Sequence, residues 1–218
     1  MGKSNEEIPV RILPLQPDMT ASFKDLLRIY REAIPQGERK SDDTLAEMLQ
    51  RTCYEFQIAC SGDAVAGFSI VRGFAEVDAC LLEYMAVDRP LRGRGIGGEL
   101  FRAACRSAIA ATRYVLIEVD SDAELVADQE IRRRRKAFYR ALGCREVAGL
   151  CYLMPLVTEQ SPPEMNLLVF RPALPRTISK SRLRQWLECI YTWVYQESGS
   201  DPRIDLMLKA LPNDIKLR

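Results

Sequence analysis

The sequence predicts a mixed α/β fold in which mostly antiparallel strands are flanked by helices, followed by a helical extension at the carboxyl end. Three observations predict it. Short apolar runs with two-residue alternation recur between turn signals, which is the pattern of half-buried strands. Apolar stripes at helical spacing interrupt them. Residues 85–110, MAVDRPLRGRGIGGELFRAACRSAIA, run from an apolar strand through a glycine-rich turn straight into an amphipathic helix.

The elements follow in order. VRILPL, from Val10, alternates as a first strand, and Met19, Phe23, Leu26, Leu27, Tyr30 and Ile34 recur as one face of a helix that Pro35 and Gly37 end. After the polar loop IPQGERK, Ser41 with Asp42 and Asp43 reads as a capped start, and Leu45, Met48 and Leu49 form the apolar face of a second, short helix. Tyr54, Phe56, Ile58 and Cys60 alternate as a strand, SGD makes a turn, and the run from Val65 is its hairpin partner. A further strand spans about 79–87. The helix after the glycine turn is expected to bury Leu100, Phe101, Ala104, Cys105, Ala108 and Ile109, and YVLIEVD after it reads as a strand parallel to the one before. CYLMPLV and MNLLVF are expected as two more strands, separated by the polar segment TEQSPPE. Two helices complete the chain, one with the stripe Leu183, Trp186, Leu187, Ile190 and Val194, the other with Ile204, Met207, Leu208 and Leu211.

The glycine-rich turn has the makings of a polyanion cradle. Gly93, Gly95, Gly97 and Gly98 let the backbone approach a ligand where a Cβ would block it. The first N–H groups of the following helix have no partner within it, and phosphate oxygens supply one. Arg92 and Arg94 add full positive charges that can fork onto a pyrophosphate. Gly93, Gly95 and Gly98 also satisfy the dinucleotide pattern GxGxxG, with Glu118 or Asp120 at the distance of a ribose-binding acid. Against that reading, DRPLR separates Val87 from Gly93, whereas a dinucleotide fold puts its glycines at the strand end, and the preceding strands read as an antiparallel meander. A GxxxxGK[ST] loop is absent.

The stretch VDRPLRGRGIGGEL resembles motif A of the GNAT N-acetyltransferases, Q/R-x-x-G-x-G/A, through Arg92, Gly95 and Gly97. RRRRKAFYRALGCRE, at 132–146, resembles the family's motif B, a helix with a tyrosine, here Tyr139, before a Leu-Gly turn; Cys144 stands where an aromatic is common. With its strands the resemblance covers roughly residues 8–156. It implies a GNAT fold whose sheet is splayed at a parallel strand pair, and acetyl-CoA as cosubstrate. By the same resemblance Arg92, Gly93, Arg94, Gly95, Ile96, Gly97 and Gly98 hold the diphosphate, the backbone of Met85, Ala86 and Val87 pairs with the pantetheine arm, and Phe138 packs at the cofactor. Direct attack of a deprotonated amine on the thioester is implied, with Tyr139 as the acid that protonates the departing thiolate. Glu83, a carboxylate in the otherwise apolar strand CLLEYMAV, matches the family's general base; an ion pair with one of the many arginines is its structural alternative, and Glu118 is the second choice of base.

Composition sets bounds. The 218 residues are 47% apolar, enough for one good core or a core with an appendage, and 31 basic against 30 acidic residues leave a net charge of +1, which gives no general attraction to nucleic acid or membrane. No apolar run reaches the length of a membrane span and MGKSNEEIPV lacks the apolar core of a secretion signal, so a cytoplasmic location is expected. The absence of histidine removes His-based triads, HExxH zinc sites and any histidine base, and no metal site is expected. Seven cysteines without a CxxC pair read as reduced core thiols. The run from Arg132 to Lys136 reads as a solvated helix face, with one or two of its charges reaching the 3′-phosphate of coenzyme A.

The expected organisation is an acetyltransferase domain at 1–172 and a helical extension at 173–218, packed on the domain or at a homodimer contact. Acceptor choice falls to loops at 31–44, 72–79 and 120–130, and a small amine is favoured over a protein. A noncatalytic acyl-CoA-binding module and a dinucleotide oxidoreductase are the alternatives.

Overall fold

The structure, a computed structural model, describes residues 10–107, 109–123, 128–155 and 164–218. Its strands are β1 (Val10–Pro14), β2 (Tyr54–Ser61), β3 (Ala64–Gly73), β4 (Ala79–Val87), β5 (Tyr114–Asp120), β6 (Arg145–Glu146), β7 (Met165–Phe170), β8 (Thr177–Ser179) and β9 (Asp214–Lys216). Its helices are α1 (Thr20–Ala33), α2 (Asp42–Leu49), α3 (Ile96–Arg106), α4 (Gln129–Ala141), α5 (Lys180–Trp193) and α6 (Pro202–Lys209). Seven strands form a mixed sheet in the order β1-β2-β3-β4-β5-β7-β6, and β8 pairs with β9 apart from it. The chain divides into two compact units, residues 1–72 with 83–109 and residues 73–82 with 110–218.

In the first unit β1 pairs antiparallel with β2, and β2 with β3, the second ladder shifting register at Ala59 and Cys60. Alternation sorts the side chains. Phe56, Ile58, Phe68 and Ile70 join Leu26, Tyr30, Leu45 and Met48 of α1 and α2 in one core, while Ala59 and Ala66 meet Ile96 and Leu100 of α3 in another. The Ser41 hydroxyl accepts from the Thr44 N–H, capping α2 as expected. Gly67 has a steric reason that goes beyond turns: a Cβ there would lie 2.7 Å from the Ala86 carbonyl oxygen.

In the second unit β4 and β5 are parallel over three rungs, Ala79–Leu81 against Tyr114–Leu116. β7 lies antiparallel to β5 on one side and to β6 on the other. Leu116, Leu167 and Val169 of these strands share a core with Trp186, Leu187, Ile190, Ile204 and Leu208 of α5 and α6, so the two carboxyl-terminal helices pack on this unit's strands.

Several expectations change. CYLMPLV is not a strand: of its described residues only Tyr152 makes a bridge, to Met165. The Leu153 N–H goes to the Met207 sulfur at 3.2 Å, Pro155 has no N–H to give, and β6 takes the edge of β7. Leu156 and Val157, and 158–163 of TEQSPPE, lie outside the described residues, as do 124–127 of the loop at 120–130. Helix α3 stops at Arg106, with Ser107 extended behind it, so Ile109 is not on the helix and Ala108 lies outside the described residues. No cysteine among the described residues is in a disulfide; five are buried, Cys53 is half-buried and Cys151 is exposed.

Candidate active site

The turn before α3 is built by backbone geometry. A 3₁₀ turn at Arg89–Leu91 brings the chain off β4, and the Arg92 Nε donates to the Val87 carbonyl at 3.0 Å, tying the end of β4 to the turn. Gly93 and Gly95 have φ of 80° and 81°, left-handed conformations that L side chains avoid. Gly95 is the N-cap of α3, and no side chain caps that end. Arg92, Gly93, Arg94 and Gly95 are exposed, and Gly97 is half-buried. Ile96 and Gly98 are buried, Ile96 in the core with Leu100, so its side chain holds α3 in place and only its backbone is open to a ligand role. A Cβ at Gly93 or Gly95 would meet nothing within 4 Å, so the turn is open in front of the helix end. The backbone of exposed Gly95 and half-buried Gly97, at the positive end of an eleven-residue helix and beside two guanidinium groups, fits a diphosphate.

In the same unit the candidate base is engaged. The Glu83 side chain is 4% exposed, and its Oε1 lies 2.6 Å from the Lys40 ammonium in an ion pair. Neither Glu83 oxygen has a partner at hydrogen-bond geometry. Lys40 belongs to the loop between α1 and α2, and its backbone N–H donates to the Tyr30 hydroxyl at 2.8 Å. The charge of Glu83, after burial itself, helps push the Tyr54 phenol up to about 12. Met85 and Val87 pack beside Ile96 and Leu100, while Ala86 joins the core under α1.

The second unit holds the other candidates. Tyr139 is buried on α4 and meets the half-buried Phe138 ring edge-on at 5.1 Å. Glu118 on β5 accepts from the Tyr152 hydroxyl and, at 3.1 and 3.0 Å, from the Tyr195 hydroxyl. Burial, and then the Glu118 charge, raise the Tyr152 pKa well above that of a free phenol, so its proton stays on the donor side.

The basic run of α4 is largely occupied. Arg132 pairs with Asp128, Arg133 and Arg134 with Glu130, and Arg135 with Asp120. Lys136 departs from the solvated face expected of it: it is buried, and its ammonium meets Asp122 at 2.8 Å, Asn166 at 2.9 Å and Glu146 at 3.0 Å. Glu146 also accepts from Arg140 and Arg218. Burial alone would raise the Glu146 pKa, but the hydrogen bonds from Arg218 and Lys136 outweigh it and hold the carboxyl below its ordinary value. These groups border a cavity of about 400 Å³ that Ser121, Cys151 and Asn166 also line.

Residues 52–146 match the family model described as an acetyltransferase (GNAT) domain. The likeness to the GNAT acetyltransferases lies in this segment. The matched span contains the Gly93–Gly98 turn, Glu83 and Tyr139, so both motifs fall inside it. No curated protein matches it. Among solved structures it is similar to a Bacteroides thetaiotaomicron protein described as a GNAT-family acetyltransferase, with TM-score 0.69, 22% identity, and coverage of 85% of this chain and 98% of the other. An aminoglycoside 6′-N-acetyltransferase in complex with coenzyme A gives TM-score 0.59 at 14% identity over 76% and 98% of the two chains. The ribosomal-protein-S18-alanine N-acetyltransferase of Escherichia coli gives 0.55 at 19% over 77% and 96%. At these identities the likeness is one of fold.

Sequence reasoning missed Lys40, Tyr152 and Tyr195. Each meets its carboxylate from more than 30 residues away in the chain, so no local periodicity marks the pairing. Gly67 carried a readable signal, a lone glycine inside a strand pattern, which points to close backbone approach.

Proposed function

We propose that this chain is a GNAT enzyme, an acetyl-CoA-dependent N-acetyltransferase that moves the acetyl group to a primary amine, a small molecule rather than a protein, by direct attack on the thioester. The observation that carries the reading is the turn of Gly93 and Gly95, left-handed, exposed and open ahead of the uncapped amino end of α3. Those backbone donors, with Arg92 and Arg94, hold the diphosphate, and the backbone of Met85, Ala86 and Val87 aligns the pantetheine arm. Phe138 packs at the cofactor. When bound, acetyl-CoA supplies the activated acyl carbon and a thiolate leaving group. Glu83 accepts the proton of the acceptor ammonium, and Tyr139 donates one as the thiolate leaves. A phenol carries a proton at neutral pH and suits that task. Alignment of amine and thioester supplies much of the acceleration. An aminoglycoside enzyme and an alanine N-acetyltransferase of a ribosomal protein share this fold, so a small amine is the first reading and a protein acceptor the second.

A thiol-release assay with acetyl-CoA across polyamines, aminoglycosides, amino acids and peptides tests both parts. Turnover confined to small amines is expected. Turnover of peptides alone replaces the acceptor class, and binding of acetyl-CoA without release in any arm assigns a noncatalytic module.

A further inference from the structure

We propose that Lys40 is a positioning residue for the base: its ammonium anchors the Glu83 side chain at Oε1 and leaves Oε2 as the oxygen that receives the acceptor's proton. The inference rests on the reading of Glu83 as the base, and it explains a contact that reading does not use. The Lys40 ammonium lies 2.6 Å from Glu83 Oε1, with the two side chains 22% and 4% exposed. The angles at this contact fall outside hydrogen-bond geometry, so the ammonium acts on Oε1 as a neighbouring charge, and Oε2 carries no directed donor. Glu83 Oε2 is buried and without a hydrogen-bond partner, which is what a proton-accepting atom needs before its substrate arrives.

The loop is fastened so that Lys40 stays there. Its N–H donates to the Tyr30 hydroxyl at 2.8 Å, and two residues earlier the Glu38 carbonyl accepts from the Tyr84 hydroxyl at 3.1 Å. Tyr30 is 1% exposed and packs edge-on against Tyr84 with ring centroids 5.1 Å apart. Two tyrosines from different elements, α1 and β4, thus fix the backbone that carries the ammonium, so the ordering cost of the pair falls on the side chains alone. A buried carboxylate deprived of its cation is left as an uncompensated charge. Without the Lys40 contact nothing holds Oε1 in place, and Oε2 loses its fixed direction.

The test uses the full chain, acetyl-CoA and the amine with the highest turnover in the thiol-release panel. Lys40→Met is expected to lower kcat on the order of 10²-fold, the lower end of what a general base contributes, with KM for acetyl-CoA unchanged. Lys40→Arg, which keeps the charge, is expected to retain most of kcat. Lys40→Met placed in Glu83→Gln is expected to add less than about twofold, because the two residues act as one unit. Multiplying losses in the double variant, or full kcat in Lys40→Met, overturns the proposal while a kcat loss in Glu83→Gln leaves the base reading standing. Full kcat in Glu83→Gln overturns the base reading itself. Should Lys40→Met not fold, Tyr30→Phe keeps the ring and removes the loop's anchor; a several-fold kcat loss that vanishes in Glu83→Gln supports the proposal, and its absence counts against it.

Discussion

Gly95 and Gly67 are glycines for different reasons, and their substitutions separate function from stability. Gly95 has φ of 81° and open space where a Cβ would go, so a side chain there meets backbone strain of about 1–2 kcal/mol and no clash. Gly95→Asp adds a negative charge at the helix end that is to receive a diphosphate, and coenzyme A affinity measured by calorimetry should fall by more than tenfold while the melting temperature moves by a few degrees. Gly67→Ala does the reverse. Its Cβ would stand 2.7 Å from the backbone oxygen of Ala86, which cannot swing away, and the overpacking should cost roughly 1–3 kcal/mol. A thermal melt checks it. Tyr139→Phe removes one hydroxyl from a buried ring and should lower kcat with little change in the KM for acetyl-CoA; an unchanged kcat would assign Tyr139 to packing alone.

At the scale of elements, the end of α4 and the strands beside it are bound by charge. Asp122 and Glu146 both sit below their ordinary carboxylate values in the folded chain, Asp122 chiefly through its hydrogen bond from Lys136. A depressed folded pKa means that the stability it contributes is present above the unfolded value and is lost as pH falls through the folded one. Urea midpoints should therefore decline below about pH 4.5, the region of unfolded carboxylates. Glu146→Gln should lower the midpoint at pH 7 and flatten that decline, because Lys136, Arg140 and Arg218 lose their shared acceptor. The elements themselves were legible wherever a period had room to repeat: α1, β2, β3, β4 and the start of α3 stand where alternation and helical spacing put them. β6, of two residues, and β8 and β9, of three, are too short for any period, and CYLMPLV has the composition of a strand but a proline and a methionine-sulfur contact in place of a ladder.

For the molecule as a whole, the sequence was most informative where function depends on backbone. Glycine is the residue that left-handed φ requires, so the turn at Gly93 and Gly95 could be read from residue types alone. Long-range pairing is invisible to the same reading: nothing near Glu83 in the chain announces Lys40, and nothing in RRRRK separates the buried Lys136 from the four arginines before it. Among the described residues no helix is long and apolar enough to cross a membrane. The central claim is that the diphosphate of the acyl carrier docks on the amides ahead of α3. Titration calorimetry of coenzyme A into the wild-type chain and into Gly95→Asp, side by side, tests it most directly. One site per wild-type chain is expected, with the heat lost or strongly weakened in the variant; equal binding by both proteins would mean that the diphosphate docks elsewhere.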